Sequence, residues 1–357
     1  NYAEARFSLC FRNYWCRGLI DTESQTSWST EYDFKCDLRW SETVDRSWID
    51  REDIPLLAYA AVSGCTQVVR DILAGINKIP DTKRRHMCLR ACVSKRGIPE
   101  IGITRGCPIL LGAMMASTSD VVSLLLESGL DPFQTDLSGN DALMSGCIWG
   151  RTDNVKFWLK RFPDWDLERK NKVVGGVALG HAVYMGPHRL ELVKVLLDRS
   201  ASVQSRSDNG GSILTALCSS EDADSEILQL FLEKTKKKNV VNFKIRGRTI
   251  KWRNIYRLAQ WLTRMKLVNS GLVIALAQEC GSTPLHFAVR RGDVDVVNIL
   301  LSQGADPTIK NDLGKTPLDY TDAFPELRGA LKRVIQQRSK NKSVTLHRRN
   351  STATNMK

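Results

Sequence analysis

His86, Cys88 and Cys92 stand at HxCxxxC spacing and offer three ligands to a zinc ion. No fourth ligand accompanies them at a standard spacing, so no metal is expected. Asp293 and Asp295 are close enough to share acid–base work, yet they open a helical segment, where negative charge favours the helix dipole. The GxxxxGKS phosphate loop, the GxSxG nucleophile elbow, HExxH and GxGxxG are all absent. We therefore expect no enzyme and no cofactor.

The second kind of chemistry on offer is charge. The chain carries a formal net charge of +13, and the stretch 234–278 holds Lys and Arg but neither Asp nor Glu. Lys236, Lys237, Lys238, Arg246, Arg248, Lys251 and Arg253 are the candidate contacts to an anionic surface, whether nucleic acid or acidic lipid. Trp252, Tyr256 and Trp261 interleave with Arg253, Arg257 and Arg264, a pattern that suits base stacking and equally suits inward packing at helical spacing. Lys234 to Lys238 also fits a nuclear import signal or a solvated loop. Arg348-Arg349-Asn350-Ser351 has the form of a basic-directed kinase site, making Ser351 a candidate for phosphorylation.

These residues hang on elements that one stretch makes legible, GSTPLHFAVRRGDVDVVNILLSQGADPTIKNDLGKTPLDY from Gly281 to Tyr320. Thr283 suits a helix N-cap and Pro284 the next position, which needs no amide hydrogen. Leu285 and Ala288 share a face, and Gly292 lets the chain reverse into a second helix carrying Val296, Val297, Leu300 and Leu301. Gly304 falls where a left-handed C-cap is expected before Asp306-Pro307.

The GxTPL phrases at Gly281 and Gly314, with His286 and Ala288 following the first, resemble the ankyrin repeat family. The resemblance implies an all-α, ankyrin-type helix-turn-helix solenoid with short β-hairpin-like loops, and His286 as an inter-loop hydrogen-bonding residue. Laid along the chain, the pattern gives about seven repeats starting near Asp53, Gly106, Gly139, Gly175, Gly210, Gly281 and Gly314. VVSLLLESGLDP from Val121 overlays VVNILLSQGADP from Val296 without a gap. Two basic insertions interrupt it, at about 75–105 and 234–278. In the second, Ile255, Leu258, Ala259, Leu262 and Met265 predict a helix with its apolar face on the solenoid, and Leu272 to Ala277 a short helix after it.

The domain reading is then a Trp-rich N-terminal segment or cap over 1–52, a repeat solenoid over 53–335 and a basic disordered tail over 336–357. Ten cysteines without a CxxC pair, several at small core positions, predict reduced thiols and a cytoplasmic or nuclear setting. No apolar run reaches the roughly 20 residues of a membrane span. The chain opens at Asn1 without Met or an apolar leader, which we read as no secretory signal and as fitting a longer parent protein.

The family resemblance implies that partners are proteins, bound on the concave face by a non-catalytic scaffold. The two positions before the Gly that ends the first helix of the clear repeat are Arg290 and Arg291, which by register become Val62 and Ser63, Met115 and Ala116, Ile148 and Trp149, Tyr184 and Met185, and Ser219 and Ser220. Met115, Ile148, Trp149, Tyr184 and Met185 form the candidate anchoring stripe, with Arg290 and Arg291 as its electrostatic end. The alternatives are a regulatory or targeting region of a larger channel or signalling enzyme, and a platform whose basic insertion binds anionic ligands.

Overall fold

The computed structural model describes residues 56–62, 64–78, 80–83, 107–116, 118–184, 189–220, 224–235 and 240–354. The N-terminal segment, the HxCxxxC cluster and most of the first basic insertion lie outside the described residues. The described chain divides into two compact units, up to residue 202 and from residue 203 onward.

In the first unit the helices come in pairs: α1 (Leu56–Val62) with α2 (Thr66–Asn77), α3 (Ile109–Ala116) with α4 (Ser119–Glu127), α5 (Ala142–Ile148) with α6 (Thr152–Arg161), and α7 (Ala178–Tyr184) with α8 (Arg189–Asp198). The first helices pack one on the next, and so do the second helices. Sequence sets this division of labour. The first helices are short and buried on most sides, as with Leu110, Leu111, Ala113 and Met114 in α3, whereas α4, α6 and α8 bury one stripe each, such as Val155, Trp158 and Leu159. Gly146 in α5 is hemmed between Val155 and Met114, where an added Cβ would lie 3.0 and 3.1 Å from their side chains. Small residues at this register position, Ala113, Gly146 and Ala182, let neighbouring helices close up.

The second unit continues the same grammar. Here α9 (Ile213–Ser219) pairs with α10 (Ser225–Lys234), and α13 (Pro284–Arg291) with α14 (Val294–Ser302). Between them stand α11 (Ile250–Arg264) and α12 (Gly271–Glu279), which pack on each other. Despite 49 intervening helix-rich positions from 235 to 283, α9 packs directly on α13 and α10 on α14. A 3-10 turn, Pro317–Tyr320, and α15 (Pro325–Thr354) close the unit, with Leu327 and Leu331 buried. The guanidinium of Arg338 donates to the Ala305 carbonyl at 3.0 Å and lies 3.4 Å from Asp306.

Short polar side chains start these helices. Asp141, Ser212, Asp224 and Asp293 each accept from a backbone N–H of the first turn. Asp293 is therefore a helix cap, in keeping with a structural carboxylate. His286 accepts the Thr283 amide on Nδ1 at 3.1 Å, so its Nε2 carries the hydrogen and donates to the Lys315 carbonyl at 3.2 Å. Burial pushes its pKa down to about 4, which keeps that tautomer neutral.

The tail differs from its expected disorder: α15 continues through residues 336–354. Beyond Gly329 the chain to Thr354 has neither Gly nor Pro and carries several Lys, Arg and Gln, which are good helix formers. Ser351 thus stands in the last turn of a helix.

Candidate binding surfaces

Hairpin fingers join successive helix pairs, and their backbone bonds define where each repeat turns. In one, Asn311 donates to the Lys315 carbonyl at 2.8 Å and accepts from Gly314 N at 2.9 Å. Asp136 does the same with Asn140 and Gly139, and Ser207 with Gly211 and Gly210. The fourth such base residue is Ile245, which donates to the Ser282 carbonyl at 2.9 Å and accepts from Gly281 N at 2.8 Å. Two residues normally separate base and glycine. Here residues 246–280 do.

Neighbouring fingers also pair: Lys172 N donates to the Ser138 carbonyl at 2.8 Å, Arg248 N to Asp208 at 2.9 Å, and Asp312 N to Cys280 at 3.0 Å. The glycines Gly139, Gly175, Gly210, Gly281 and Gly314 all have positive φ. At Gly210 the reason is double, because an added Cβ would also strike the Arg246 carbonyl of the next finger. The second interruption is therefore seated inside a fingertip over 246–280, later than the expected 234–278, and Lys234 is the last residue of α10. Lys236, Lys237 and Lys238 lie outside the described residues.

Side chains brace the fingers. Asn311 is a hub, its Nδ2 donating to the Gln278 carbonyl at 3.2 Å and the Tyr320 hydroxyl at 3.0 Å while its Oδ1 accepts from Leu313 and Lys315 amides. Asn171 plays the same part, donating to Asn140 at 3.0 Å and accepting from Val174 and Gly176. It also lies 3.2 Å from His181, whose burial pushes its pKa down to about 4.

In the first unit the anchoring stripe is only partly available. Ile148 and Trp149 at the end of α5 and Tyr184 at the end of α7 are half-buried, on helices that pack together. Met115 is buried and drops out of the surface, its carbonyl accepting from Arg151 Nε at 2.7 Å. Met185 lies outside the described residues. In the second unit Arg290 and Arg291 are half-buried and engaged. Arg290 lies 5.6 Å from the Tyr320 ring centroid and 5.9 Å from that of Phe287, and Arg291 is 3.7 Å from Asp293.

The inserted helices overturn one expectation about their packing. Helix α11 buries Trp252, Tyr256, Ala259 and Gln260, while Leu258 and Met265, expected on the inward face, are exposed. Two aromatic rings bury more area than a Leu and a Met, and they decide which face turns in. Gln260 comes with them. Tyr256 reaches Glu279 of α12 at 3.4 Å, and burial holds the Glu279 carboxyl up at about 7, against the pull of Arg290. Arg246, Arg248, Lys251 and Arg253 are exposed as expected; Arg246 is 3.9 Å from Asp312 and Arg248 donates to the Arg206 carbonyl at 3.3 Å.

Sequence reading missed further exposed apolar groups. Phe133 stacks on Trp165 at 5.2 Å and Leu137 stands at a fingertip, both apolar residues in otherwise polar loops. Trp261 and Leu267 join Leu258 and Met265 outside. Among the described residues no group of three or more His, Cys, Asp or Glu could hold a metal ion. Cys65, Cys107, Cys147, Cys218 and Cys280 are not joined in disulfides, and burial pushes Cys218 up to about 12, an unreactive core thiol.

Stacked helix pairs with edge-paired fingers define a helical repeat protein. The ankyrin repeat family model matches residues 280–312, so the chain carries an ankyrin repeat there. The crystal structure of the human ASB11 ankyrin repeat domain shares the fold, at 18% identity and a TM-score of 0.51, covering 78% of this chain and 97% of that one. Over 53 residues the chain is 45% identical to ankyrin repeat and SOCS box protein 11 of Danio rerio, a segment that is 14% of this chain and 18% of that protein. Over 37 residues it is 60% identical to the 2-5A-dependent ribonuclease of Mus musculus, covering 10% of this chain and 5% of that protein. The chain thus spans less than a fifth of these curated relatives.

Proposed function

We propose that the chain is a non-catalytic scaffold that binds a protein partner through the ends of the first helices in its first unit. The observation that carries this is the adjacency of half-exposed Ile148 and Trp149 on α5 to half-exposed Tyr184 on α7. Large aromatic and aliphatic side chains that keep part of their surface in water on neighbouring rigid elements are the ordinary anchors of interfaces. Burial raises the pKa of the Cys147 and Cys218 thiols and Asp293 caps a helix, which supports structural roles for these groups.

Affinity capture from the native source with wild-type and Trp149→Ala protein tests this reading. The variant should melt within a few degrees of wild type, as a half-buried helix-end residue does, while losing at least about tenfold in capture of a defined partner. Lost stability with intact capture would assign Trp149 to the core and overturn the proposal.

A further inference from the structure

Helix α11 is apolar on two sides. Trp252, Tyr256 and Ala259 are turned inward, while Leu258 (57% exposed), Trp261 (50%) and Met265 (58%) face water. At 3.6 residues per turn, positions 250, 258, 261 and 265 fall along one stripe, nearly opposite the buried one. Exposed Ile250 extends it backwards and exposed Leu267 follows its end. Arg253, Arg257 and Arg264 run beside the stripe on one flank, and Lys251 stands on the other, all exposed. Isolated exposed leucines are commonplace, but a continuous Leu–Trp–Met stripe edged by arginines marks a contact surface.

We propose that this face of α11 docks on an anionic lipid surface, with Leu258, Trp261 and Met265 entering the boundary below the headgroups and Arg253 and Arg257 meeting lipid phosphates. Charge complementarity selects the occupant. No acid stands anywhere between Lys234 and Gln278, and the one carboxyl within 246–280, Glu279, is buried, so the exposed insert is attracted to a negatively charged leaflet. The apolar groups also stand on one ridge of a single helix. A protein partner would have to supply a groove for that ridge, whereas a fluid acyl boundary accommodates it without one, and Trp is favoured at such interfaces. The contact is peripheral, since no described helix is long and apolar enough to cross a membrane. Docking also leaves the stack undisturbed, because α11 keeps its inward face on α12 and both hang from the turn between Ile245 and Gly281.

The test is flotation of the full chain with phosphatidylcholine vesicles, with and without phosphatidylserine. Wild type should float only with phosphatidylserine, and less as salt rises. The Leu258→Ser/Trp261→Ser and Arg253→Glu/Arg257→Glu variants should each weaken flotation by at least about tenfold at unchanged melting temperature. If the serine pair lowers the melting temperature, Trp261→Ala alone should still reduce flotation. Failure of wild type to float with phosphatidylserine overturns the proposal, as does flotation of both variants at the wild-type level. Loss with the glutamate pair but not the serine pair reduces the surface to charge adsorption and overturns insertion. Binding of single-stranded RNA or a polyglutamate peptide without vesicle binding reassigns the face to that class of partner.

Discussion

Two fingers of the second unit are built on the same backbone bonds and stabilised differently. At Asn311 the turn is tight and a buried amide gathers the Gln278 carbonyl, the Tyr320 hydroxyl and two loop amides. At Ile245 the same pair of backbone bonds closes over 246–280, and the side chain is simply a buried hydrophobe. The difference shows that a repeat stack specifies the stems of its fingers more strictly than their tips. Closing a longer loop costs only logarithmically more entropy, so a helical hairpin can grow from a turn while α9 still meets α13.

Breaking the hub should have the larger effect. Asn311→Ala removes the acceptor of the part-buried Leu313 and Lys315 amides and the donor to the Gln278 carbonyl, and is expected to cost about 2 kcal/mol in urea unfolding. Ile245→Val at the equivalent place removes one methylene and should cost about 1 kcal/mol. Equal costs would mean that the two fingers are braced alike.

A smaller effect separates the insert from the stack. Glu279 ordinarily titrates near 4.5 and is held at about 7 in the folded chain by burial, so the folded state binds its proton more tightly than the unfolded state. Its contribution is fully present below pH 4.5 and is lost as pH rises through about 7. Glu279→Gln should flatten this slope and raise stability at pH 8 by on the order of 2 kcal/mol, read by unfolding at pH 5 and pH 8. The histidine slope runs the other way, since His286 and His181 sit near 4 and lose stability as pH falls below their ordinary 6.5. A slope unchanged in Glu279→Gln would remove Glu279 as its source.

Much of the fold was legible because each repeat writes its own boundaries. Thr283-Pro284 starts a helix, Gly292 ends it, and the glycines at 139, 175, 210, 281 and 314 turn out to need positive φ. Such signals are local. The limits of the insertion are not, because the bond from Ile245 to Ser282 joins residues far apart in sequence, and Ile245 lacks the polar side chain that marks Asp136, Asn171, Ser207 and Asn311. Helix α11 was foreseen, but its orientation was not, since two stripes of apolar residues have the same period and only packing against α12 selects one. Met115 looked equivalent to Ile148 by register, yet its carbonyl is tied to Arg151 and its side chain is covered. Register assigns position along a helix and does not by itself assign exposure.

The central claim is that residues 246–280 form a module seated in a fingertip of an otherwise continuous stack. Hydrogen exchange on a chain in which Arg246–Cys280 is replaced by Asp-Leu, the dipeptide that separates Asn311 from Gly314, tests it most directly. The account predicts that amides of α9 and α13 keep their protection, apart from loosening at Arg290 and Asn311 where the insert makes contact. Loss of protection throughout α9 and α13 would contradict it, and would make the insert part of the core that holds the second unit together.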